Sequence, residues 1–444
     1  MRALLLNGAI GPDSRLSRCE TYLVRALKER GAQVDVRRML EISVAWCQGC
    51  FECWVHTPGL CKIDDAGRSI AESFAQSDIV IYLTPVTFGG YSSELKKALD
   101  RILGVLLPFF TRIDGEVHHP QRYAHRLTIG VVATFDRPDA EAEVTLRTLV
   151  ARNAINFAAQ PHAVAVLEGP PDERRELAVC TALLDQMTTP PSVKTPAHID
   201  DVDHLLPALP CAGDTAAPPQ HALLLVGSAK PRGTSTSETL GREMLARLEA
   251  RGIATTTRWG QHDAHSAHGL AALTADTRAH DLLLIATPLY IDSLPSLVTR
   301  SLEAIAADRR SLTSPPPLTV ALLVNCGFPE ARHCSVAAAI SALFARETGA
   351  RWAGALQLGG GGTISGRSLN EAGQVVHHLS AALDEACARL AEGRAIPPDA
   401  MAAFRKPLMP TTLYMAAGNA GWLWTAAHEG TLTKLWQRPY TETH

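Results

Sequence analysis

Two stretches of this chain, 219 residues apart, nearly coincide: ALLLNG at residues 3–8 and ALLLVG at residues 222–227. Each is a short apolar run closed by glycine, the pattern of a strand buried on both faces. Each opens into a polar loop and then a long amphipathic helix. The helices, CETYLVRALKERG and SETLGREMLARLEARG, are predicted to stop at Gly31 and Gly252. Glycine after a last turn bearing arginine ends a helix because it enters the left-handed region freely. An internal match constrains the fold more than any composition. Whatever the first half folds into, the second half is expected to repeat.

Further landmarks keep the same order. DIVIYLTP at 78–85 answers DLLLIATP at 281–288, and LTIGVVAT at 127–134 answers LTVALLVN at 318–325. Strands are predicted near 3–7, 33–37, 78–83, 127–133 and 163–167. Their counterparts are near 222–226, 254–258, 281–286, 318–325 and 352–358, with helices between. With 444 residues, 46% of them hydrophobic, the chain is long enough for two full cores. Apolar strands alternating with helices predict an α/β fold. The expected architecture is two tandem flavodoxin-like, doubly wound domains, each a five-stranded parallel sheet flanked by helices. The predicted division is 1–194, a linker rich in Pro, Asp and Ala at 195–220, a second domain at 221–400, and an aromatic-rich extension at 401–444. Trp422, Trp424, Trp436 and Tyr440 in that extension are read as packing onto a core or a partner, with a lid over a bound ligand as the alternative.

The two copies differ in one interval. The helix stops are 221 residues apart, but the third-strand landmarks are 203 apart, so the second copy is about 18 residues shorter between them. In the first copy that interval holds Cys47, Cys50, Cys53 and Cys61, four of the ten cysteines, spaced C-x2-C-x2-C-x7-C. Two-residue gaps let successive thiolates turn toward one centre. Four thiolates suit a [4Fe-4S] cluster or zinc. The adjacent short gaps lean toward iron–sulfur, while a loop of reduced thiols or a redox-active pair stays open as an alternative. The second copy has no cysteine there.

Near-balanced charge, −3 overall, gives no reason to expect nucleic acid. The seventeen histidines show no metal-ligand spacing, and the pair His118–His119 is read as a solvated turn. No secretory signal or membrane span is visible, and the remaining cysteines are scattered singly. A reducing cytoplasm is therefore expected.

In an open parallel sheet, ligands sit beyond the carboxyl ends of the strands. After the second copy's first strand, GSAKPRGTSTSETL offers Ser228, Lys230, Arg232, Thr234, Ser235 and Thr236 at a helix start. Hydroxyls, backbone N–H groups and the helix dipole together make a phosphate cradle. An ordinary capped turn is the plainer alternative. Neither G-x-G-x-x-G nor a P-loop is present, so a monophosphate such as that of FMN fits better than a dinucleotide. The first copy offers Ser14, Arg15 and Ser17, but Asp13 brings an unwelcome negative charge. After the third strands come Pro85, Val86, Thr87, Phe88 and Gly89, matched by Pro288, Leu289 and Tyr290. Here aromatic side chains and glycine could border a flat ring. After the second copy's fourth strand come Asn325, Gly327 and Phe328. Cys326 and Cys334 are read as isolated thiols, and Asp100 and Arg101 as structural. No side chain stands out as a catalytic acid, base or nucleophile.

These residues resemble the NADPH-dependent FMN reductase family. The likeness rests on Gly227-Ser228 with Arg232, on Thr84-Pro85 with Gly89, and on Leu95, Lys96, Asp100 and Arg101. The insertion, with Cys47, Gly49, Cys50, Cys53, Gly59, Cys61, Asp64 and Asp65, resembles the iron–sulfur flavoprotein branch. The resemblance implies FMN bound non-covalently, NAD(P)H as electron donor, and a [4Fe-4S] cluster exchanging electrons with the flavin. It also implies a small-molecule or protein electron acceptor, with a homodimer left open. A flavin or iron–sulfur electron carrier or redox sensor, with one repeat degenerate, is the alternative function.

Overall fold

In a computed structural model, residues 1–124, 126–188 and 216–441 are described. They form two compact units, Met1–Ala197 with Met415–His444, and His198–Tyr414. The linker expected at 195–220 lies outside the described residues as far as 215.

The first unit runs β1 (Arg2–Asn7), α1 (Ser14–Glu29), β2 (Gln33–Arg38), α2 (Glu52–Val55), α3 (Ala66–Gln76), β3 (Ile79–Pro85) and α4 (Ser93–Arg101). It continues with β4 (Thr111–Ile113), β5 (Glu116–His118), β6 (Leu127–Phe135), α5 (Ala140–Asn156), β7 (Ala159–Glu168) and α6 (Glu173–Thr188). The strand order is β2-β1-β3-β6-β7, parallel throughout.

The second unit runs β8 (His221–Val226), α7 (Thr236–Glu249), β9 (Ala254–Trp259), α8 (Gly260–Asp263), α9 (Ala267–Ala279), β10 (Leu282–Pro288) and α10 (Ser296–Ser311). Then come β11 (Thr319–Asn325), α11 (Ser335–Glu347), β12 (Arg351–Leu358), α12 (His377–Ala391) and α13 (Pro398–Arg405). The last helix, α14 (Thr411–His428), begins in the second unit and belongs to the first from Met415 onward. Its order, β9-β8-β10-β11-β12, is the same 2-1-3-4-5 arrangement, also parallel. Even the register shift between the fourth and fifth strands recurs, at Leu127/Ile129 and at Val320/Leu322.

Local chemistry explains the shared pattern. The glycine closing each first strand lets the chain pass close to another element. A Cβ at Gly8 would strike Leu95 of α4, and one at Gly227 would strike Val298 of α10 and Thr287. Gly31 and Gly252 follow the first helices with φ of 79° and 83°, the left-handed stop their positions predicted. Each unit has its own core. Leu5, Leu16, Leu23, Ile81 and Val132 belong to the first, and Leu224, Leu240, Leu284, Leu323 and Leu383 to the second. At about 1.5–3 kcal/mol per buried leucine or isoleucine, these layers supply most of what holds each sheet to its helices.

Two expectations need correcting. The segment 401–444 is not one extension: α13 places Ala400 and Phe404 in the second core, whereas residues from 415 onward belong to the first unit. His118 and His119 are not a solvated turn. His118 is fully buried at the end of a hairpin, its Nδ1 2.8 Å from Asn156 Oδ1. His119 packs its ring on Phe110 and Trp54. The hairpin itself, β4–β5, turns on Asp114-Gly115, both at positive φ. That dipeptide between alternating residues was a readable hairpin signal.

Candidate functional site

The cysteine loop hangs between β2 and α3. Gly49 and Phe51 take left-handed φ of 62° and 58°, which bends the chain sharply around Cys50. Gly59, at φ 90°, turns it again before Cys61. As a result Cys47, Cys50, Cys53 and Cys61 all line one pocket, together with Phe51, Lys62, Asp100, Arg101 and Leu103.

One ion pair sets the loop's ends. The Arg101 guanidinium, at the end of α4, donates to Asp65 at 2.7 and 3.0 Å, to Ala45 O at 2.8 Å and to Ile63 O at 3.1 Å. Asp65 in turn accepts from Ala45 N at 2.7 Å and caps α3 through Gly67 N at 2.9 Å. The residues just before Cys47 and just after Cys61 are thus pinned to one arginine. This is the structural role expected of Arg101. Asp100 pairs with Lys96 in the interior of α4.

Burial pushes the Cys47 thiol up to about 12, with Asp100 adding to it. Burial also holds the Cys53 thiol well above its ordinary value, and Cys47, Cys61 and Cys50 add to it. Cys50 is exposed and the other three cysteines are half-buried; crowded thiols of this kind keep their protons unless a cationic centre replaces them. Among the described residues, no three His, Cys, Asp or Glu side chains come together to hold a single ion. The four thiols line one shared pocket.

The loops after the two first strands differ in what occupies the helix start. In the first unit, Asp13 Oδ1 accepts from Arg15 N at 2.9 Å and Leu16 N at 3.3 Å. The Asp13 carboxylate thus caps the start of α1. Ser14 begins α1, Ser17 Oγ donates to Asp13 O, and the Arg15 guanidinium reaches Phe135 O and Gly169 O.

In the second unit the cap is neutral, with Ser235 Oγ accepting from Glu238 N at 3.2 Å. Ser228 Oγ accepts from Lys230 N, and Thr234 donates to Pro231 O. Thr236 donates to Gly361 O and Ser237 to Asn325 Oδ1. Arg232 lies 3.9 Å above the Trp259 ring and borders an open cleft of about 490 Å³ with Gly233, Arg242 and Ser368.

After the third strands both units make the same tight turn. Thr87 and Gly90 exchange two backbone bonds around Phe88 and Gly89, at φ 52° and 78°. Tyr290 and Ser293 do so around Ile291 and Asp292, at φ 49° and 55°. Pro85 and Pro288 end their strands, and Val86 N and Leu289 N donate to Thr134 O and Asn325 O. Gly327 O accepts from Tyr414, and Phe328 stacks on His333 at 4.5 Å. Cys326 and Cys334 are not isolated. Their thiols interact in a buried site beside His333, with burial raising Cys334 and its hydrogen bond lowering Cys326. Sequence spacing gave no hint that these residues meet.

The fold and its loops define a flavodoxin-like α/β protein in two units. Within it, residues 1–163 match the NADPH-dependent FMN reductase family. The chain is 27% identical over 101 residues to an iron–sulfur flavoprotein of Methanocaldococcus jannaschii, covering 23% of this chain and 51% of that protein. It therefore spans about half the length of that relative. Among solved structures it is similar to an azoreductase from Bacillus anthracis, with 14% identity, 42% and 96% of the two chains covered, and a TM-score of 0.31. It is also similar to an NAD(P)H:quinone oxidoreductase from Methanothermobacter marburgensis, with 12% identity, 41% and 92% covered, and a TM-score of 0.32.

Proposed function

We propose that this chain is an FMN-dependent oxidoreductase that takes electrons from NAD(P)H and carries a [4Fe-4S] cluster on Cys47, Cys50, Cys53 and Cys61. The observation that carries the reading is the convergence of all four thiols on one pocket, inside the segment that matches the flavin reductase family. Bound FMN would supply hydride acceptance and single-electron release.

The chain's own residues would bind and orient. Ser235, Thr236 and the N–H groups at the start of α7 receive the phosphate, with Arg232 beside it. The first unit is the weaker phosphate site, because a second anion beside Asp13 would meet like charge. Arg101 and Lys62 at the pocket wall offset the negative charge of four thiolates. The electron acceptor is a small molecule or another protein. No helix among the described residues is long and apolar enough to cross a membrane.

The test is anaerobic purification followed by FMN, iron and sulfide per chain. Replacing Ser235 and Arg232 with alanine is expected to remove FMN and leave iron unchanged. Replacing Cys53 with serine is expected to remove iron and leave FMN unchanged. FMN retained in the first variant, or no iron in the parent protein, would overturn the corresponding half of the reading.

A further inference from the structure

The cysteine loop is closed by the far end of the chain. Thr431 Oγ1 donates to Val55 O, and Arg122, itself buried, donates to Leu435 O at 2.7 Å and Gln437 O at 2.8 Å. The same guanidinium holds Gly104 O at 2.8 Å. Gln76 donates to Tyr440 O at 3.0 Å, and Tyr440 N donates to the Tyr123 hydroxyl at 3.2 Å. Pro439 lies so close to Gly59 that any side chain there would collide with it. Val55 and Gly59 both fall in the seven-residue gap between Cys53 and Cys61. The gap is therefore gripped from outside at two points.

An aromatic wall adds to the grip. Phe51, a lining residue of the thiol pocket, stacks on Trp54 at 5.0 Å, and Trp422 sets its edge against both, at 5.7 and 5.3 Å. Trp54, Val55, Ala426 and Leu435 form one buried apolar cluster, and Cys53 packs against it.

We infer that residues 415–441 are a working part of the sulfur site, fixing the Cys53–Cys61 gap and limiting the approach of water to Cys53. The inference rests on the cluster reading above. A C-x7-C gap in a loop with only a four-residue helix has little order of its own. A multinuclear centre needs its ligands held in register and its surroundings dry. Arg122 links the two ends: it holds the returning segment and lies within electrostatic reach of Cys53. Trp422, Thr431, Leu435 and Pro439 act through Cys53 and Cys61, and are positioning residues.

Two variants test this, the full-length chain carrying Trp422→Ala and a chain ending at Gly430. Both are purified without air beside the parent. Iron and sulfide per chain are measured, then the rate at which iron–sulfur absorption bleaches in air. FMN content and circular dichroism report whether the fold survives. The expected result is about tenfold faster bleaching, or loss of iron, with FMN and dichroism unchanged. Bleaching and iron equal to the parent in both variants would overturn the inference. Iron, FMN and dichroism falling together in both would do the same, because that marks general unfolding.

A metal-free arm separates this from the cluster reading. In iron-free protein, alkylation of Cys53 by iodoacetamide, located by mass spectrometry, is expected to be slow in the parent and faster in both variants. A parent that never carries iron, yet shows this protection, would sink the cluster and keep the closure. Equal alkylation in all three would sink the closure.

Discussion

At the scale of single residues, the turn after each third strand shows how one geometry is met by two chemistries. The first unit places Gly89 at φ 78°, where a Cβ is unfavourable by about 1–2 kcal/mol. Replacing Gly89 with alanine is expected to lower stability by about that amount in urea denaturation. The second unit accepts the same strain at Ile291 and Asp292, so no glycine marks the turn there. That is why the turn could be read from the sequence in one copy and not in the other. The cap residues make a second contrast. Asp13→Ala should lower stability by about 1 kcal/mol and leave FMN content unchanged. Ser235→Ala should lower stability by a similar amount and also weaken FMN binding, because there the cap and the proposed phosphate site coincide. Equal FMN content in the two variants would remove the distinction drawn between the loops. That Cys47, Cys50 and Cys53 would face one pocket was legible because short spacings report on neighbours in the chain. His118 was not, because its burial depends on Asn156 and on a hairpin closing over α5.

At the scale of elements, the central strands were legible to within two residues, since a parallel strand covered on both faces is an unbroken apolar run; β7 begins at Ala159, four residues before the expected 163, and the β4–β5 hairpin was missed. Helix partners were not, because period alone does not say which polar residue on one helix meets which on another. The pairing of α1 with α6 is an example. Arg18 Nε and Nη2 donate to Glu176 at 2.5 and 2.7 Å, and the Glu176 side chain is 1% exposed. The Arg18 hydrogen bond holds the Glu176 carboxyl below its usual range, outweighing the cost of burial. A carboxyl depressed in the folded state contributes stability above its unfolded pKa. That contribution disappears as pH falls through the folded value. Glu176→Gln is therefore expected to lower stability by about 2 kcal/mol at neutral pH, with the difference shrinking toward zero in acid. Denaturant melts of both proteins across that range would show it. A difference that stays constant with pH would mean the lost packing, and not the charge, accounts for the effect.

At the scale of the whole molecule, the chain leaves the first unit, builds the second, and returns. The paired apolar stretches announced two units, but nothing in the order of residues said that 415–441 would rejoin the first. Long-range contacts such as Thr431 with Val55 carry no periodic signature. The return makes a prediction about cooperativity in the intact chain. Leu5 is fully buried in the first core and Leu224 in the second, so either change to alanine costs about 2–5 kcal/mol locally. Units with separate cores open separately, and backbone amides exchange with the unit that holds them. The Thr431 amide donates to Ala426 O, and the Gln437 amide to Lys434 O, within the returning segment. Leu5→Ala is expected to speed exchange at Thr431 and Gln437 while leaving Leu323 in β11 protected. Leu224→Ala is expected to do the reverse. If the amides at 431 and 437 follow Leu224 instead, the C-terminal segment is energetically part of the second unit. Its contacts with the cysteine loop would then be too weak to couple the two ends of the chain.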